Sequence, residues 1–128
     1  MVCGGSVLLK EVAALLNCEV VSGHDALDVR ISSCFAADLM SDVLRFSSPD
    51  ALLVTGLTSL QAVHTADLAD FKGLLFVGSK RPAPDALRLA REKHIPILVT
   101  GFTMFEACGM LFGSNALSPR RGGSGESV

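Results

Sequence analysis

Few side chains in this sequence are spaced as chemistry requires, and those that are fall into four groups. The first is a pair of matched turns. Leu53-Val54-Thr55-Gly56-Leu57-Thr58 is repeated 45 residues later as Leu98-Val99-Thr100-Gly101-Phe102-Thr103, and Gln61-Ala62 is repeated as Glu106-Ala107. Each copy reads as strand, glycine turn and helix start, with Thr58 and Gln61, or Thr103 and Glu106, spaced as a capping box. Backbone N–H groups and hydroxyls at such a position can hold an anion at a helix N-terminus. Gly56, Thr58, Ser59, Gly101 and Thr103 are therefore candidate ligand-binding residues for a phosphate or nucleotide. The same residues also serve any strand-turn-helix unit, glycine supplying the turn and threonine the cap.

The second group is basic. Lys80-Arg81 lies after an apolar segment, and Arg88 and Arg91 are three apart on a following helical stretch, a pattern that suits an acidic partner, a phosphate or a solvated face. Lys80 and Arg81 join the candidates. The third group is Asp38 and Asp42, four apart, which on one helix face would present two carboxylates, or would simply favour the helix dipole. The fourth comprises Cys3, Cys18, Cys34 and Cys108 with His24, His64 and His94. No C-x-x-C pair occurs and no histidine stands at ligand spacing, so neither zinc nor an iron–sulfur cluster is expected. No nucleophile elbow is present and no lysine followed by Ser or Thr closes a glycine-rich loop. The sequence thus assigns no catalytic residue, no metal and no cofactor.

The elements that would position these residues follow from hydrophobic spacing. Leu8, Leu9, Val12, Ala13, Leu15 and Leu16 predict a first helix after Ser6, stopping near Asn17. A short strand is expected at Glu19 to Val21, a turn at 22–25, and a second extended segment from Val29 to Ala36. Asp38 is placed to cap a helix running to Phe46, ended by Ser48-Pro49-Asp50. From Ala51 the chain alternates: strand 52–55, helix from Ser59 to about Ala69, strand 74–77, helix from Pro82 and Pro84 to Lys93-His94, strand 97–100, helix 104–112. Near-continuous apolar strands between helices predict an α/β fold with a largely parallel sheet flanked by helices. The spacing of the echo makes its two copies quasi-equivalent edges of that sheet.

Composition bounds the rest. With 128 residues, 49% of them hydrophobic, one core is expected over residues 1–113, and a Ser/Gly/Arg-rich tail over 114–128 is expected to be flexible. Seven Phe with neither Trp nor Tyr leave few platforms for stacking bases, so nucleic acid is not an expected partner. Residues 1–70 hold nine acids and three bases, residues 71–128 four acids and eight bases, an asymmetry that suits an anion site or a self-complementary contact. The N-terminal residues lack the pattern of a signal peptide, and Pro96, Gly101, Thr103 and Glu106 interrupt the apolar stretch 95–113. A cytoplasmic protein without a membrane span, with Cys18, Cys34 and Cys108 buried and inert, is expected.

A family resemblance joins these parts. Ala37-Asp38-Leu39-Met40-Ser41-Asp42-Val43, the Leu53 to Thr58 segment with Gln61-Ala62-Val63 and Thr65-Ala66, Phe76-Val77 with Lys80-Arg81-Pro82, and Ile95-Pro96-Ile97-Leu98 with 104–109 resemble the DRTGG domain, akin to the N-terminal domain of HPr kinase/phosphorylase. The resemblance implies a compact, commonly dimeric α/β domain that is not itself catalytic and accompanies regulatory proteins. It further implies a partner of hydrogenase or electron-transfer type. The five residues Asp-Arg-Thr-Gly-Gly do not occur here; the corresponding turn reads Gly56-Leu57-Thr58-Ser59. The sequence therefore predicts a homodimeric regulatory or accessory module that senses a nucleotide or phosphorylated metabolite, or docks on a metabolic or redox partner. The alternatives are a purely structural interaction subunit, using Met104, Phe105, Met110 and Phe112, and an enzyme with a dispersed site.

Overall fold

The computed structural model describes residues 6–46, 48 and 50–114. Five helices and seven strands follow in the order β1 (Val7–Leu8), α1 (Leu9–Leu15), β2 (Glu19–Ser22), β3 (Arg30–Ile31), β4 (Ser33–Ala36), α2 (Met40–Arg45), β5 (Ala51–Thr55), α3 (Leu60–Leu68), β6 (Gly73–Phe76), α4 (Pro84–Glu92), β7 (Ile97–Val99) and α5 (Met104–Phe112). The expected flexible tail lies, apart from Ser114, outside the described residues, as does Cys3.

β4, β5, β6 and β7 pair in parallel, each with the next. Every residue of β5, β6 and β7 is buried, because alternate side chains enter two cores. Ala51, Leu53, Leu74, Phe76, Ile97 and Val99 pack with Met40 and Val43 of α2, Ala62, Val63 and Ala66 of α3, and Ala86 and Ala90 of α4. Leu52, Val54, Leu75, Val77 and Leu98 face the other way, onto Leu9, Val12 and Leu16 and onto Ala107 and Leu111 of α5. The architecture is therefore helix, sheet, helix, with three helices on one face and two on the other.

One strand departs from the parallel set, and two expectations are corrected. β2 joins the sheet antiparallel to β7, with Glu19 opposite Val99. The reason lies in how α1 docks: the hydroxyl of Thr100 donates to the carbonyl of Leu16 at 2.7 Å, so the chain leaves α1 at the end where β7 finishes and must run back along it. Next, the two echo copies are not edges of the sheet. In the order β2-β7-β6-β5-β4, β5 and β7 flank β6, and the edges are β2 and β4. Finally, Asp38 does not cap a helix: α2 begins at Met40, its N-cap is Leu39, and no side chain caps it. Lesser differences concern the N-terminal part, where Val7 and Leu8 pair with Ile31 and Arg30 as a two-stranded sheet rather than entering the helix. Asn17, at φ 52°, stops α1 as its position predicted, and the apolar stretch 95–113 divides into β7, a turn and α5. Among the described residues no helix is long and apolar enough to cross a membrane.

After β6 the chain crosses to the face of α4, whereas after β7 it crosses to that of α5. Such a reversal opens a crevice in many parallel sheets. Here the chain itself bridges it, with Gly78 N–H donating to the Phe102 carbonyl at 2.7 Å and Ser79 N–H to that of Thr100 at 2.8 Å.

Candidate functional site

Parallel pairing carries both glycine turns to one end of the sheet. At the first, buried Thr55 ends β5; its hydroxyl donates to Asp38 Oδ1 at 2.9 Å and accepts the Leu57 N–H at 3.1 Å. Gly56 N–H donates to the same carboxylate oxygen at 2.8 Å. A Cβ built on Gly56 would lie 3.5 Å from Lys80 Nζ and 3.7 and 3.9 Å from the two Asp38 oxygens. The turn is therefore framed by an acid from the β4 side and a base from the β6 side. Lys80 makes no ion pair among the described residues. Beyond the turn, the N-cap of α3 is Ser59, whose side chain makes no capping bond, and the first turn of α3 holds no acid. The capping box expected of Thr58 and Gln61 does not form: the helix starts one residue later, with the Thr58 carbonyl accepting the Ala83 N–H at 3.1 Å. The N–H groups opening α3 thus meet no side-chain acceptor and keep their partial positive charge.

The second turn uses the same residue types differently. Thr100 Oγ1 accepts the Phe102 N–H at 3.3 Å, repeating the bond of Thr55, but donates inward to Leu16. Thr103 caps α5: its hydroxyl accepts the Glu106 N–H at 3.2 Å, and its own N–H donates to Glu106 Oε1 at 2.9 Å. This is the capping box its sequence predicted. A Cβ at Gly101 would lie 3.4 Å from Ser79 Oγ.

Of the seven candidates, Gly56, Thr58, Ser59 and Lys80 thus gather around the start of α3, while Gly101 and Thr103 belong to the closed turn before α5. Arg81 stands apart, both its terminal nitrogens on Glu19, at 2.6 and 3.1 Å. That hydrogen-bonded pairing holds the Glu19 carboxyl below its ordinary range. Sequence spacing missed Asp38 and Thr55 as site residues; the one available signal was an acid two residues beyond a strand adjoining the glycine turn.

The remaining groups stay dispersed. Asp38 precedes α2 while Asp42 lies within it, paired with Arg45 at 3.0 Å, so the two aspartates do not share a helix face. Burial pushes the thiol of Cys18 up to about 11 and that of Cys34 to about 12, the latter helped by the neighbouring Cys108, and burial raises Cys108 as well. Such thiols are protonated at neutral pH and poor nucleophiles. Among the described residues no three of His, Cys, Asp and Glu converge to hold a metal ion.

A strand-end turn with an open helix start and one unpaired lysine suits an anion, and its neighbouring carboxylate suits a hydrogen-bond donor. Comparison with known proteins adds the lineage. The family model of the DRTGG domain matches residues 11–113. No match is found among curated proteins. Among solved structures, the CBS and DRTGG domains of the regulatory region of Clostridium perfringens pyrophosphatase, complexed with the activator diadenosine tetraphosphate, superpose with a TM-score of 0.68 at 16% identity. The match covers 80% of this chain and 45% of that one, a likeness of fold. The chain belongs to the DRTGG domain family.

Proposed function

We propose that this DRTGG domain is a non-catalytic regulatory or accessory module that binds a small anionic ligand, a nucleotide or phosphorylated metabolite, at the Gly56 turn. The observation that carries the reading is the start of α3 without a side-chain cap, shortly after a Gly56 turn against which Lys80 rests, so that backbone N–H groups and one cation belong to the same strand-turn-helix unit. Membership in the family supports a regulatory role, and the solved relative's regulatory region, bound to a dinucleotide activator, supports a nucleotide as the class to try first. Thermal-shift screening against nucleotides, phosphorylated metabolites and inorganic phosphate tests it. A stabilising ligand whose effect disappears in Lys80→Ala is expected; a flat response across the panel removes the sensing role.

One observation favours a second reading, the structural interaction subunit. Phe105 and Phe112, seven apart on α5, are 88% and 67% exposed, and Gly109 between them opens on free space. Two bare phenylalanines on one helix face are costly in water and suit burial against a second copy or a metabolic or redox partner. Sedimentation of the native chain and of Phe105→Ser/Phe112→Ser decides it: a dimer lost in the double variant supports the reading, and a monomer in both removes self-association.

A further inference from the structure

Far from both glycine turns, at the opposite end of the sheet, two separate segments bring basic side chains to one cavity. It has a volume of about 390 Å³ and is lined by Ser22, Gly23, His24, Asp25, Arg91 and His94, together with Ala26. His24 and Asp25 come from the turn after β2, Arg91 from the last turn of α4, and His94 from the junction between α4 and β7. Nothing in the sequence spacing joins the first pair to the second. The turn is fixed by geometry: Ala26 N–H donates to the Gly23 carbonyl at 2.8 Å, and Gly23 has φ +77°. A Cβ there would fall 2.7 Å from Pro96 Cα, so only glycine lets this turn sit against the start of β7. His94, at φ +58°, is turned out of the helix axis just after α4 ends. Arg91 makes no ion pair among the described residues, and neither does Arg88. Arg91 also lines an adjoining groove of about 550 Å³ with Pro84, Leu87, Arg88 and Glu92.

We propose that the Arg91, His24 and His94 cavity is a second ligand site, for a compact dianion such as a phosphate monoester or a dicarboxylate. Its volume is that of a small-molecule pocket. An unpaired guanidinium offers the forked donor geometry that phosphate and carboxylate match, and two imidazoles add N–H donors. A cation is disfavoured, since Arg91 repels it and the histidines do not converge with Asp25 as metal ligands. Asp25 and Glu92 are the only acids lining the two spaces. Arg88, which lines the adjoining groove with Arg91, would receive a second anionic end.

The test is titration of the full chain with inorganic phosphate, glycerol 3-phosphate and succinate in separate arms at constant ionic strength, following the histidine ring signals by NMR. Saturable shifts of His24 and His94 are expected, with His64 on α3 unmoved as internal control. Arg91→Gln, a change at an exposed position, should weaken binding by at least about tenfold, the loss of one charge-assisted contact. Lys80→Ala should leave these shifts intact, which separates this site from the one at Gly56. Saturation by phosphates alone or by succinate alone assigns the anion within the proposed class. Equal movement of His64, a response that never saturates, an Arg91→Gln variant that titrates like the parent, or loss of the shifts in Lys80→Ala would each overturn it.

Discussion

The turns after β5 and β7 share nearly the same sequence and the same backbone bond, Thr Oγ1 accepting the N–H two residues on, yet only one leaves its helix start open. At the Gly101 turn the side chains bond within the domain: Thr100 holds Leu16, and Thr103 and Glu106 cap each other. At the Gly56 turn the bonds run sideways to an exposed carboxylate, Asp38, and the first turn of α3 has no side-chain cap. The lesson is that a repeated motif need not repeat its role: one copy anchors the N-terminal helix and caps its own, and the other leaves the helix that follows it without a side-chain cap.

Substitutions can break this contrast. The largest effect is expected from Thr100→Val, which strands the carbonyl of fully buried Leu16 and should cost about 1–3 kcal/mol in urea unfolding. Thr55→Val should cost less, because water can replace the hydroxyl at exposed Asp38. Next comes Thr103→Ala, losing the capping box of α5, with an expected cost of about 1 kcal/mol. The matched change Thr58→Ala, at a residue that caps nothing, should stay within about 0.5 kcal/mol in the same assay.

Ser59→Asp would sharpen the comparison by converting the open turn into a closed one. Stabilisation of about 0.3–1 kcal/mol is expected from an acid at the helix start, together with loss of anion binding in the thermal-shift screen. Retained binding would place the anion elsewhere. The smallest effect concerns pH. Cys18, beside Thr100, has its thiol raised from 9.0 to about 11. Raised in the folded state, it contributes stability that is full below pH 9 and lost as pH rises through about 11. The midpoint of urea unfolding should therefore fall across that window, and fall less steeply in Cys18→Ala, the thiol being half-buried and partly screened.

What was legible in the sequence was whatever apolar spacing controls. β5, β6, β7 and the limits of α5 follow from runs such as Leu52-Leu53-Val54, which have no other stable home than a sheet covered on both faces. Spacing could not show that β2 runs against β7, because that is decided by a hydroxyl meeting a carbonyl 84 residues away. Nor could it separate Lys80 from Arg81: adjacent in sequence, one faces Gly56 and the other reaches Glu19, after two successive residues at positive φ, Gly78 and Ser79. The role of Asp38 was hidden for a similar reason, a cap and a cross-strand tether being the same residue type at the same place in the chain.

β2 lies at the edge of the sheet and has β7 as its one neighbour there, while the end of α1 is held by Thr100. The N-terminal helix and strand therefore complete their pairings only when the seventh strand has formed. During synthesis they wait on nearly the whole domain to emerge, and loop closure of that length sets a slow, late step in folding. Removal of β7 and α5 by truncation would thus leave β2 without its sheet neighbour and the end of α1 without its tether, although both lie at the other end of the sequence.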